Sequence, residues 1–435
     1  MNNKTLLGLA AAALVALLVA VLLNYSNKPL NETTEQIRYL LPGLREHVNE
    51  VSQITLTGAD NKPVATLKRG DVGWAVAEKS GYPADLTKVR EFLLKLADAT
   101  LIEQKTSNKD RYAELGVEDV VDKDAKGVLV ELAGLAQPVR LIVGNYNGGG
   151  GGGTFVRLPT EKQSWLAKGN IAVEKSAPNW LRHELTDVQA ARFREVVLTA
   201  PDGKILKAAK AAPGDVNYKL ADVPKGRGPS SDFAANGLVS TLAGLRFDDV
   251  LPARDAEPGD KVYKAHYVAY DGLVVDVQAW EKDGKDYARF TATLDAAAAE
   301  SQIKTDQAVA KTQFEAKQFD AKQARPDAND KATADTKLDA AKSAPDLTPP
   351  LAISDPAKDH ADRLALIIRE IADLNKLFDG WSFVLPVYKF ANINKSMDEM
   401  LKPLDDGKGK PDPKNPGKKL NTLVGPGATM PGGKQ

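Results

Sequence analysis

The sequence predicts an α+β protein with a single N-terminal transmembrane helix followed by two tandem, repeated β-rich domains, each with a packed helix. Three observations carry this. Residues 6–23 form an unbroken run of apolar or small residues. Two stretches offset by about 142–146 residues follow one plan of alternating strands and an amphipathic helix. Between them these stretches leave the charge-dense segments of the chain outside the repeated pattern.

The apolar run Leu6–Leu23 is preceded by Lys4 and followed by the polar turn Asn24-Tyr25-Ser26-Asn27. At 1.5 Å per residue it spans roughly 27 Å, enough for a thin bilayer core. A signal peptide carries a shorter apolar region ending in a small-x-small site, whereas Val21-Leu22-Leu23 runs directly into Asn24. The expectation is an uncleaved anchor, with residues 1–5 cytoplasmic because Lys4 and the amino group lie on that side. The bulk of the chain then lies on the periplasmic or extracytoplasmic side of the inner membrane. Residues 24–51 read as a connector.

The first repeat is expected over 52–188 and the second over 194–401. Ile54-Thr-Leu-Thr57 running into Asp60-Asn61-Lys62 matches Val196-Val-Leu-Thr199 running into Asp202-Gly203-Lys204, each a strand entering a polar turn. A helix follows in both, with Val89, Phe92, Leu93 and Leu96 in one and Leu238, Val239, Leu242 and Leu245 in the other at helical spacing. Pro83-Ala84-Asp85 before the first helix makes Asp85 its N-cap. Next, Gly127–Leu132 aligns with Gly272–Val277, which makes Glu131 and Asp276 equivalent. Arg140–Val143 and Thr154–Leu158 predict a hairpin around a glycine run, with Asp276–Trp280 and Tyr287–Thr291 as its counterpart. Trp165 and Trp381 then pair in sequence, and Leu185 and Leu401 follow at matching distances.

An Ala/Lys/Asp-rich insertion at about 296–360 interrupts the second repeat. Up to about Pro345 it lacks the large apolar residues needed to offset ordering entropy, so it reads as a solvated helix or as disorder. Leu364, Ile367, Ile368, Ile371, Leu374 and Leu377 form an apolar stripe that should pack on the second domain. The Gly/Pro/Lys-rich tail 402–435 reads as disordered.

Composition excludes several functions. Lys+Arg and Asp+Glu both number 58, which argues against a nucleic-acid partner needing a basic excess. The absence of cysteine removes disulfides, thiolate metal sites and thiol nucleophiles. Gly148–Gly153 is followed by Thr154-Phe155 and not by Lys-Ser/Thr and a helix, so it reads as a hairpin tip and not a phosphate loop. His47, His183, His266 and His360 are isolated, and no nucleophilic serine motif occurs. No cofactor, metal or catalytic residue is expected. Trp74, Tyr82, Trp165 and Trp381 are the candidate binding surface, because ring faces stack on sugars; tryptophan and tyrosine at strand ends serve equally as core anchors.

Trp74, Tyr82-Pro83-Ala84-Asp85, Arg111-Tyr112-Ala-Glu-Leu115-Gly116-Val117, Val143-Gly144-Asn145 and Thr154-Phe155-Val156-Arg157 together resemble the bacterial domain-of-unknown-function family numbered 4340. The resemblance covers Ile54 to Leu185 well and Val196 to Leu401 loosely. It implies a single-pass envelope protein encoded near ABC-2-type transporter and gliding-motility auxiliary genes, and it supplies no catalytic residues. The expected function is a non-enzymatic, membrane-anchored accessory or scaffold of an ABC-type transporter complex. A cell-envelope glycan- or lipid-binding module is the alternative.

Overall fold

A computed structural model describes residues 37–149, 152–323 and 348–403. The segment 6–23 expected to cross the membrane, and the tail from 404, lie outside these. No helix among the described residues is long and apolar enough to cross a membrane. The architecture is α+β, built on two large antiparallel sheets in two compact units. One unit runs to His183 and takes in Asp249–Leu251; the other comprises Glu184–Asp248 and the chain from Pro252 onward.

The first unit opens with α1 (Leu44–His47), then β1 (Gln53–Thr57), β2 (Pro63–Gly70), β3 (Gly73–Val76), β4 (Tyr82–Pro83), α2 (Leu86–Asp98) and β5 (Leu101–Gln104). The short α3 (Tyr112–Leu115) precedes β6 (Val128–Ala133), β7 (Val139–Asn147), β8 (Gly153–Arg157) and β9 (Ser164–Lys168). The sheet order is β4-β3-β2-β1-β6-β7-β8-β9-β5. Alternation dictates the faces: Ile54, Leu56, Ala65 and Leu67 are fully buried, while Thr55 and Thr66 look outward. The expected helix is α2. Asp85 accepts hydrogen bonds from the N–H groups of Thr87 (2.9 Å) and Lys88 (3.1 Å), and Val89, Phe92, Leu93 and Leu96 are buried.

From Glu184 onward the chain forms β10 (Glu184–Thr186), β11 (Phe193–Thr199), β12 (Ile205–Ala209), β13 (Lys219–Leu220), α4 (Asn236–Val239), β14 (Leu245–Arg246), β15 (Asp249–Pro252), β16 (Tyr263–Ala269), β17 (Leu273–Lys282) and β18 (Lys285–Leu294). Then come α5 (Ala296–Gln323), α6 (Leu351–Ser354), α7 (Pro356–Phe378), β19 (Trp381–Val384), α8 (Val387–Ile393) and α9 (Met397–Met400). The larger sheet runs β13-β12-β11-β16-β17-β18-β19-β15. Read against the first sheet, β3-β2-β1-β6-β7-β8-β9-β5, the order is the same strand for strand; β4 is the addition in the first.

This order corrects the alignment made from sequence. β16, not β17, stands where β6 stands, so Glu131 corresponds to His266 and Arg140 to Asp276. Both positions hold a cross-strand ion pair of opposite polarity: Glu131 with Arg140 at 2.7 Å, and Asp276 with His266 at 2.7 Å. The tryptophans shift as well. Arg157 pairs with Ser164 across β8–β9, and the β18–β19 register, Ala288 with Phe383, sets Arg289 beside Ser382. Trp165 therefore corresponds to Phe383, and Trp381 lies two residues out of step.

The second expected helix is also shorter than its spacing predicts. Leu238, Val239, Leu242 and Leu245 are all buried, but α4 ends at Val239 and Leu245 is already in β14. Ser240 and Thr241 turn their hydroxyls onto the carbonyls of Gly237 (2.9 Å) and Leu238 (3.2 Å), and Gly244 takes a left-handed φ of 52°. The insertion is helical over α5, while residues 324–347 lie outside the described chain. The stripe in α7 packs on β18, where Phe378 meets Phe290 at 5.3 Å between ring centres; Ile368 is exposed.

Candidate functional site

A concave cleft of about 570 Å³ lies in the second unit. Its floor is apolar, made by Leu198 of β11, Leu206 of β12 and Tyr263 of β16. Its walls are the β11–β12 turn, Ala200 to Lys204, and the α8–α9 loop, Asn394 to Asp398, with Asp222 and Lys261 at the rim. Three segments far apart in sequence meet here because β11 is central, with β12 on one side and β16 on the other.

Each wall is fixed by identifiable contacts. The ring of Phe390 in α8 meets Tyr263 edge-on at 6.0 Å. Lys389 on the same helix is buried and donates to the carbonyls of Ser240 (3.1 Å) and Ala243 (2.6 Å). Burial pushes its ammonium below the usual lysine range, with the charge of Asp187 opposing the shift. The loop then enters α9 through Ser396 and Glu399: the Ser396 N–H and hydroxyl both donate to Glu399 Oε2 at 2.8 Å. These bonds, the backbone one first, hold the Glu399 carboxyl below its ordinary range. Arg227 pairs with Asp398 and donates to the Lys402 carbonyl at 2.9 Å, fastening the far side. At the turn, Lys204 lies 2.8 Å from Asp202, and its hydrogen bond lowers the Asp202 carboxyl.

The aromatic residues singled out from sequence are placed in both units. Trp74 and Tyr82 are buried, at 6% and 2% exposure, on β3 and β4 at one end of the first sheet. Trp165 is on β9 near the other end, half-buried beneath the Arg38 guanidinium at 4.4 Å. Trp381 begins β19 in the second unit. His47, His266 and His360 each pair with one carboxylate, Glu50, Asp276 and Glu300. Among the described residues no three His, Asp or Glu side chains gather to hold a metal ion.

Sequence reasoning missed a different constellation, an arginine–serine pair present in both units. Arg157 is 3% exposed; its Nε donates to the Val117 carbonyl (2.9 Å), its Nη1 to the Glu161 carbonyl (3.2 Å) and its Nη2 to Asp119 (2.5 Å). Its guanidinium lies 4.6 Å from the Tyr112 ring centre. Arg289 does the same at the corresponding place, donating to Ser382 (2.9 Å) and to the carbonyls of Ala253 and Ala256, with Trp280 at 5.3 Å. Ser164 and Ser382 are both fully buried. The pair ties down the segment entering β6 or β16, and in the first unit it gathers the motif residues. Gly127 and Gly144 close the same knot: a Cβ on either would sit 2.3 Å from the Gly116 carbonyl or 2.5 Å from that of Leu115.

Residues 74–264 match the model of a family described as a domain of unknown function, DUF4340. The DUF4340 match begins at Trp74 in β3, takes in the Tyr112–Arg157 knot and ends at Lys264 in β16, so it spans the β11–β12 turn and the three floor residues of the cleft. No curated protein and no solved structure matches the chain.

Proposed function

We propose that the protein is a non-enzymatic, membrane-anchored envelope protein whose two sheet units arose by tandem duplication and whose role is to hold and recognise partners of an ABC-type transporter complex. One observation carries the non-enzymatic part. Among the polar side chains that the fold draws inward, Arg157, Arg289, Lys389, Ser164 and Ser382 are bonded to main-chain carbonyls or to one another. Their chemistry is consumed in holding the fold, and recognition falls to surfaces. The shared strand order and the repeated arginine–serine pair support the duplication. The run Leu6–Leu23 supports the anchor and an extracytoplasmic bulk, since a tether raises the local concentration of a weak binder near membrane partners.

The glycan reading draws on stacking by Trp74, Tyr82, Trp165 and Trp381; the burial of Trp74 and Tyr82 favours core anchoring for those two. Cross-linking in cells followed by affinity purification of the full chain from membranes tests the proposal. Recovery of ABC-transporter subunits is the expected result. Recovery of cell-wall fragments without them, or a chain that fractionates away from membranes, overturns it.

A further inference from the structure

The outer edge of β12 is open beside the cleft, and the corresponding edge of β2 is closed. In the β11–β12 ladder the Lys210 N–H donates to the Arg194 carbonyl and the Ala200 N–H to the Lys204 carbonyl, so even-numbered residues of β12 face β11 and odd-numbered ones face outward. Strand β13 covers only Ala208 and Ala209, and the Ala221 N–H reaches the Lys207 carbonyl at 2.9 Å. Asp222 then takes a left-handed φ of 55° and turns the chain away. The N–H and C=O of Ile205 are left without a partner among the described residues, and its side chain is 63% exposed.

The first unit finishes the same edge differently. Pro63 stands opposite Thr57 as Ile205 stands opposite Thr199, and proline has no N–H to offer. The next outward N–H, of Thr66, donates to Glu78 Oε2 at 2.7 Å. The second unit also covers the stretch of β18 beyond its pairing with β19: the Asn375 amide of α7 exchanges two 2.8 Å bonds with the backbone of Ala292. Exposed strand edges invite pairing with another chain, and proteins ordinarily blunt them. This one is left open against an apolar-floored cleft.

We propose that the β12 edge at Ile205 and the adjoining cleft form a binding site for an extended peptide segment of a partner protein, captured by β-augmentation. Main-chain bonds to Ile205 supply the affinity common to any strand. The residues before and after the paired one project onto the Leu206 face, where Leu198, Leu206 and Tyr263 accept an apolar side chain. Lys261 and Asp222, which have no ion pair among the described residues, select charge at the two ends. The inference rests on the partner-binding reading above and names its surface.

The test is selection of a phage-displayed heptapeptide library on the purified full chain, followed by affinity measurement on Ile205→Pro, which installs the residue found at the corresponding place in the first unit. The expected result is enrichment of peptides with an apolar residue beside a non-proline position, at least tenfold weaker binding to I205P, and a changed acidic preference on Lys261→Glu. Equal binding to I205P, or no enriched peptide, overturns the proposal. Should I205P fail to fold, amide exchange on the unaltered chain decides: the Ile205 N–H slows at least tenfold with the selected peptide if the site is real, and stays fast if not. Protection of Ile205 without peptide that disappears on dilution assigns the edge to a second copy and also overturns it. Peptide binding with no transporter subunit recovered from membranes sinks the scaffold reading alone; recovery unaffected by I205P sinks the edge site alone.

Discussion

Strands β2 and β12 occupy the same place in two sheets of matching order, yet one is finished by Pro63 and Glu78, whereas the other begins at Ile205, whose outward N–H and C=O have no partner among the described residues. The connections feeding the two sheets differ as well. Between β5 and β6 the first unit has residues 105–127, which carry α3 and pack Tyr112, Val117 and Val120 into a buried cluster with Leu129 of β6 and Ile142 of β7. Between β15 and β16 the second unit uses only residues 253–262. The first unit seals itself; the second lengthens the β18–β19 connection into α5, α6 and α7 and keeps an exposed edge. One strand order thus accommodates a capped edge or an open one, according to a few edge and loop residues.

The arginine knots give the largest expected contrast. Arg157→Met leaves the carbonyls of Val117 and Glu161 without their donor and takes the buried partner from the part-exposed Asp119, and should cost about 2–4 kcal/mol by urea unfolding of the first unit. Arg289→Met, at a more exposed position with 26% of its side chain accessible, should cost about 1–2 kcal/mol. Equal losses would show that the two knots are not used differently. Gly127→Ala comes next, since its Cβ would press on the Gly116 carbonyl; a loss of about 1–3 kcal/mol is expected, measured the same way.

How much of this was legible in the sequence follows from the range of the interactions. Helix α2 was readable because its signals are local: Asp85 as cap and Val89, Phe92, Leu93 and Leu96 at helical spacing. The polar turns at Asp60 and Asp202 were equally local. Sheet order was not, because β1 pairs with β6 and β11 with β16 across long intervals, and an alternating strand carries no mark of its partner. The alignment therefore slipped by one strand at Asp276 and by two residues at Trp381. Arg157 was visible as a motif letter, but its role depends on Asp119 and Val117 far back in the chain. The cleft draws on residues near 200, 262 and 396, which no local pattern joins.

Smaller effects sharpen the comparison. Ile205→Pro and Pro63→Ile exchange the edge residues of the two units; each should shift stability by under about 1 kcal/mol, because neither position donates a native ladder bond. A larger loss for I205P in thermal unfolding would show that its N–H is engaged in the isolated chain. The smallest effect concerns the α8–α9 loop. The Glu399 carboxyl is depressed in the fold, so the stability it contributes is complete above its unfolded value and is lost as pH falls through the folded one. Acid titration should loosen the Asn394–Asp398 wall, read by amide exchange at Ser396, and Glu399→Gln should remove that dependence.

The most direct test of the central claim is cross-linked affinity purification from membranes of the full chain and of its Ile205→Pro variant, side by side. The account predicts that ABC-transporter subunits accompany the unaltered chain and are depleted at least tenfold with I205P, at equal expression and equal membrane association. Their absence from both samples, or equal recovery in both, would contradict it.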